Sequence, residues 1–231
     1  EGTDLLVADR TRVYRGRSRV AGYRGIAVGF PGGVNYTFNA QNGVFSALWQ
    51  GEFVSVYWGG QGAGNFNPKG RAIELAQDVA FYRLAKDDEP WPLRPVMTKE
   101  QPVNPDPLYP RNRGYQFGGY QLDKDGVPTF LYRTGAVTIE DTTQVVVYNR
   151  LTGLVRTLRL NAPKVETVYF RVLTGKVQKL VPGQYGTDSL KVRVPEASAL
   201  LRGQGEVREL LLKLNLPKAK SECVIRYELL R

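Results

Sequence analysis

Arg15, Arg17 and Arg19 recur at every second residue near the start of the chain. On a β-strand that spacing puts three guanidiniums on one face. Few acidic residues stand nearby to neutralise the row. Such a row suits an anion: the acidic groups of a glycan or an acidic protein surface. It equally suits a solvated strand edge whose charges keep other sheets from pairing with it. Trp58 ends a run in which Val54 and Val56 share its face, and Trp91 opens a proline-rich stretch. Indole rings at such positions either stack on sugars or fill a core. Arg15, Arg17, Arg19, Trp58 and Trp91 are therefore the candidate residues for a ligand or partner, and none is nominated as catalytic or as a metal ligand.

What is missing narrows the chemistry further. The 231 residues contain no histidine, one cysteine and one methionine. The usual general base near neutral pH and the commonest ligand of transition metals and haem are absent. With Cys223 alone, neither an intramolecular disulfide nor a paired-cysteine haem or metal motif can form. Cys223 sits in an alternating run and reads as a core thiol. No metal or cofactor is expected to be held by this chain's own side chains. A carbohydrate-active enzyme remains an alternative: a two-carboxylate hydrolase using Asp123, Asp125, Glu140 or Asp141, or a lyase with a tyrosine base. Asp123 and Asp125 lack the further ligands of a calcium loop and read as a hairpin turn. The glycine run Gly59–Gly64 lacks the spacing of a nucleotide site. The net charge of +10 favours acidic partners, yet no nucleic-acid-binding signature accompanies it.

The elements that must position these residues are strands. From Tyr23 to Arg71 turn signals separate short runs rich in aromatic and β-branched residues: Arg24–Phe30, Val34–Asn39, Val44–Gln50 and Phe53–Trp58. Asn42-Gly43 supplies a tight hairpin. Leu5-Leu6-Val7 reads as a short edge strand. Ala72–Ala85 fits a helix and a strand about equally. Residues 86–113 carry repeated prolines and read as an extended segment that wraps the domain, anchored by Trp91 and Tyr109. Beyond it lie Phe117–Leu122 and Pro128–Tyr132 around the Asp123–Gly126 turn. Further strands follow at Val137–Glu140, Thr143–Asn149, Leu154–Leu160, Val165–Leu173, Lys176–Val181, Leu190–Val194, Val207–Leu214 and Val224–Leu230. Leu151-Thr152-Gly153 reads as a hairpin turn, and Pro195–Leu201 as a short helical turn. The regular turn spacing indicates an all-β protein, an antiparallel β-sandwich in one domain over 1–231. A mutarotase-like supersandwich is a variant of that architecture.

Two blocks carry a resemblance. The patterns Arg24-Gly-Ile-Ala-Val-Gly, Pro31-Gly-Gly-Val-Asn-Tyr, Leu48-Trp-Gln-Gly and Trp58-Gly-Gly-Gln-Gly form the first. The second is Tyr115–Arg133, with Asp123-Lys-Asp-Gly126 and Pro128-Thr-Phe-Leu-Tyr. Together they resemble a β-rich module of unassigned function found in large exported bacterial proteins with c-type haem or sugar-dehydrogenase-like propellers. The resemblance implies a non-catalytic binding or structural module of an exported redox or glycan-processing assembly, periplasmic or extracellular. It implies a partner that is acidic or carries haem c, or an anionic polysaccharide. No apolar run approaches the length of a membrane span. The chain opens on Glu1 rather than Met and reads as a processed product or a fragment.

Overall fold

Glycine and Asn-Gly turns interrupt the chain every few residues, too often for helices to propagate, and alternation within the runs sorts side chains to two faces. The structure is a computed structural model that describes residues 2–59, 64–148 and 151–230. Its strands are β1 (Thr3–Leu5), β2 (Arg12–Ser18), β3 (Gly22–Phe30), β4 (Val34–Asn39), β5 (Val44–Gln50), β6 (Glu52–Tyr57), β7 (Asn65–Lys69), β8 (Ile73–Glu74), β9 (Phe81–Tyr82), β10 (Tyr115–Leu122), β11 (Pro128–Thr134), β12 (Val137–Tyr148), β13 (Leu151–Asn161), β14 (Glu166–Gly175), β15 (Gln178–Val181), β16 (Gln184–Gly186), β17 (Leu190–Arg193), β18 (Ala199–Gln204), β19 (Val207–Leu216) and β20 (Lys220–Leu229). Two 3-10 turns, Arg111–Arg113 and Glu196–Ser198, are the helical content of the described residues.

All pairings among the described residues are antiparallel and make four sheets, ordered β1-β6-β7, β2-β3-β4-β5-β8, β18-β19-β14-β9 and β10-β11-β12-β13-β20-β17-β16-β15. The five-stranded sheet lies in the middle. Every position of β4 is buried, which requires cover on both faces. Ile26, Val28, Tyr36, Phe38 and Leu48 pack into the main core with Phe130, Ile139, Leu158 and Tyr227 of the eight-stranded sheet. Stacked rings lock these layers: Phe38 on Phe130 at 4.1 Å and Phe45 on Tyr227 at 4.7 Å. On the opposite face Ala27, Ala47 and Trp49 meet Phe53, Val54, Val56 and Phe66 of the three-stranded sheet. The four-stranded sheet joins the main core through Val168, Phe170, Leu210 and Leu212, and within the sheet Phe170 stacks on its cross-strand neighbour Phe81 at 4.6 Å.

The outer side of that four-stranded sheet, at Tyr169 and Leu211, is covered by Leu84 and Trp91. Here the proline-rich segment is hooked down. The Trp91 Nε1–H donates to the Val79 carbonyl at 2.8 Å, and the Val79 N–H donates to the Tyr109 hydroxyl at 2.6 Å. The Tyr109 hydroxyl in turn donates to the Pro92 carbonyl at 3.0 Å. Both ends of segment 92–108 therefore close on one residue of the sheet domain. Arg202 adds bonds from its guanidinium to the carbonyls of Asp87 and Glu89.

Several local expectations are corrected. Residues 72–85 contain no helix but the two-residue strands β8 and β9. Val137–Glu140 and Thr143–Asn149 are one long strand, β12, because Asp141 and Thr142 keep the alternation, one inward and one outward; Asn149 lies outside the described residues. Leu151-Thr152-Gly153 is not a turn but the start of β13, paired with β12. Gly153 belongs there for want of space, since a Cβ would come within 2.5 Å of the Tyr227 carbonyl oxygen. The helical reading of Pro195–Leu201 holds only for Glu196–Ser198, after which β18 begins.

Candidate functional site

The arginine row does not form as the spacing predicts. Among the described residues β2 pairs only with β3, and its register shifts between Gly16 and Ser18. That bulge breaks the period of two. Val13 packs on the main core and Tyr14 on the smaller core between the three- and five-stranded sheets, so Arg15 shares the Val13 face. Arg17, the residue inside the bulge, instead lines a surface groove with Arg19, Tyr23, Tyr57, Asn65 and Asn67. Arg19 is past the strand end, in the turn closed by the Ala21 N–H on the Ser18 carbonyl at 3.1 Å. The structure thus brings two of the three arginines together and separates Arg15 from them.

The groove has a volume of about 640 Å³. The Arg17 guanidinium carbon lies 4.4 Å from the centre of the Tyr23 ring, and Tyr23 is 69% exposed. A guanidinium on an aromatic face keeps its N–H fork free at the rim for an anion while its flat side is satisfied. Arg19 forms an exposed ion pair with Glu74 at 2.8 Å. Exposed pairs of this kind are weak, roughly 0–1 kcal/mol, so an anionic ligand can exchange for Glu74. Across the groove, Asn65 and Asn67 alternate with buried Phe66 along β7 and turn their amides outward. Tyr57 is exposed at the end of β6. The assembly offers guanidinium, amide and aromatic surface, the set that recognises an acidic, hydroxylated ligand.

Trp58 is 59% exposed, beside this groove, with its ring edge-on to Tyr14 at 6.3 Å between centres. The Tyr14 hydroxyl donates to the Gly64 carbonyl at 2.8 Å, fixing the backbone on which the indole rests. Trp58 is therefore available to a ligand, whereas Trp49 is core, its Nε1–H donating to the Glu52 carbonyl at 2.9 Å. Trp91 is corrected as a contact residue. It is 4% exposed and anchors the proline-rich segment, since its large apolar ring is worth more in the core than at the surface. Tyr23, Tyr57, Asn65 and Asn67 were not among the sequence candidates. The outward alternation Asn65-Phe66-Asn67 was the signal for two of them.

The carboxylates considered for hydrolysis do not converge. Asp123 caps its own turn, accepting the N–H groups of Asp125 and Val127 at 2.8 and 2.9 Å. Glu140 and Asp141 are neighbours on β12 and face opposite sides of the sheet. Asp141 is buried in a bidentate pair with Arg156, at 2.9 and 2.7 Å, and accepts the Tyr132 hydroxyl at 2.7 Å. Tyr227 stands 3.3 Å from the other Arg156 nitrogen. Both carboxylate oxygens are thereby satisfied, and each of the three guanidinium nitrogens donates one bond within the core. Tyr36, wholly buried beside Thr143, has no hydrogen bond of good geometry; burial, with Asp141 nearby, raises its pKa. Burial raises Tyr132 and Tyr227 as well. Burial also pushes the Cys223 thiol up to about 11, which makes it a poor nucleophile at neutral pH. No group of three or more acidic, cysteine or histidine side chains suited to a metal occurs among the described residues. Among the described residues no helix is long and apolar enough to cross a membrane.

Compared with models of known protein families, the chain matches none, and comparison with curated proteins likewise finds no match.

Proposed function

We propose that the chain is a non-catalytic binding module of an exported redox or glycan-processing assembly, and that its ligand is an anionic glycan held in the groove of Arg17, Arg19, Tyr23 and Tyr57. The observation that carries this reading is Arg17 stacked on exposed Tyr23, with Asn65 and Asn67 across the groove. An acidic protein surface would be met by the charges alone; exposed tyrosine faces and paired amides add the stacking and hydroxyl recognition that a sugar requires. The net charge of +10 draws the polyanion to the surface, and the groove orients it. The module's neighbours in such an assembly would carry any haem c, since this chain has no histidine and a single buried cysteine.

The test is the affinity of the isolated chain for an acidic oligosaccharide such as oligogalacturonate, set beside its neutral counterpart, at low and high salt. Binding should favour the acidic sugar and weaken with salt, because exposed charges are screened beyond about 8 Å at physiological ionic strength. Reversing Arg15, Arg17 and Arg19 to glutamate should abolish it, with Arg17 and Arg19 carrying the effect. Tyr23→Ala should also weaken it while leaving the melting temperature nearly unchanged. If charge reversal leaves affinity intact, the arginines are only a solvated edge. If reversal abolishes binding to an acidic protein while Tyr23→Ala has no effect, the partner is protein and the glycan reading fails.

A further inference from the structure

On the eight-stranded sheet, the face turned away from the core carries opposite charges across the ladder at three positions. Cross-strand pairing sets Arg159 between Glu140 on one side and Glu222 on the other, and Lys191 opposite Glu228. Opposite charges across a ladder are favourable and like charges directly opposite are destabilising. One position breaks the rule. Arg193 of β17 stands directly opposite Arg226 of β20. Both are exposed, and neither forms an ion pair or a side-chain hydrogen bond among the described residues.

These two arginines line a groove of about 650 Å³ together with Lys191, Glu228, Gly153 and Val155. With three cations and one carboxylate, the groove carries two net positive charges. Gly153, where a Cβ would strike the Tyr227 carbonyl, leaves its floor open beside Glu228. The groove is separate from the one at Arg17: it lies on another sheet and shares no residue with it. It rests on strand backbones hydrogen-bonded on both sides in β13, β20 and β17, so the register that sets Arg193 opposite Arg226 is fixed before any ligand arrives.

We infer that this is a second binding site, for a phosphate monoester group gripped between Arg193 and Arg226. Two guanidinium forks facing one space match an oxyanion with three acceptor oxygens, and a phosphate monoester carries about −1.5 to −2 charge at neutral pH. That charge balances the groove, which a single carboxylate would not. Val155, and Val146 at the groove's far wall, give the rest of the ligand an apolar surface.

The experiment titrates the chain with inorganic phosphate, glycerol 3-phosphate and acetate at matched ionic strength, following backbone amide shifts by NMR. Saturable shifts confined to β13, β17 and β20 with either phosphate, at least about tenfold tighter than with acetate, are expected. Tighter binding of glycerol 3-phosphate identifies an organic ester as the ligand; equal binding identifies the free anion. Arg193→Gln and Arg226→Gln should each weaken phosphate about tenfold while holding or raising the melting temperature, because each removes a like-charge neighbour. A merely structural arginine would lower it. Acetate binding as tightly as phosphate, shifts elsewhere, or undiminished affinity in both variants overturns the site.

Discussion

At Asp141 the carboxylate and the Arg156 guanidinium are each only 2% exposed. Two charges this deep are tolerable only together. Asp141→Ala leaves a guanidinium buried without its counter-charge, and should lower unfolding free energy by about 3–5 kcal/mol. Replacing both residues with apolar ones of similar volume should cost far less than the sum of the single changes. Urea denaturation of the two single variants and the double variant measures this. A second expectation concerns Cys223. Burial pushes its thiol up to about 11 in the folded protein, against an ordinary 9.0. Above pH 9 the unfolded chain therefore loses a proton that the folded chain keeps. Stability should fall as pH rises from about 9 to 11, with the buried tyrosines deepening the fall. Cys223→Ala should flatten the first part of that slope in a pH series of melting curves.

Among the elements, β4 and β5 were legible residue for residue, because Gly and Asn-Gly turns bound them and β-branched and aromatic residues fill them. The longer strands β13, β19 and β20 were legible in kind but not in extent. Their ends at Leu216 and Lys220 are fixed by pairing partners that local sequence does not contain. β8 and β9, two residues each, carry no period to read. The bulge in β2 was invisible for the same reason, and it cost the candidate site most: spacing alone aligned Arg15 with Arg17, and the register with β3 parted them. Gly16 shows how tightly that bulge is held. A Cβ there would lie 2.4 Å from the Gly64 carbonyl oxygen, a backbone atom. Gly16→Ala should therefore destabilise by about 1–3 kcal/mol, as overpacking does. It should also weaken ligand binding at Arg17, which sits next to it. Melting temperature and affinity of the one variant, measured together, check both. The buried Arg156–Asp141 pair was not read from the sequence: splitting β12 at Glu140 left Asp141 outside a strand, although on β12 and β13 both charges stand at inward positions beside Ile139, Leu154 and Leu158.

Taken whole, the molecule has one main core that draws on residues from Ile26 to Tyr227, on both sides of the proline-rich segment. Calorimetry and far-UV circular dichroism should accordingly report a single coincident transition. Two separated transitions would show that the segment divides independent units. The segment itself has a different consequence. Trp91 and Tyr109 both fasten to Val79, so everything between them is a closed loop whose ends are already joined, with Leu93, Val96, Met97, Val103 and Leu108 exposed along it. Once a loop is closed at its base, its length matters little: doubling it costs only about 0.6 kcal/mol. Residues 93–108 are thus the place where this protein can accept foreign sequence, such as an affinity tag, a fluorophore-binding peptide or a whole guest domain, provided Trp91 and Tyr109 stay in place to close its base.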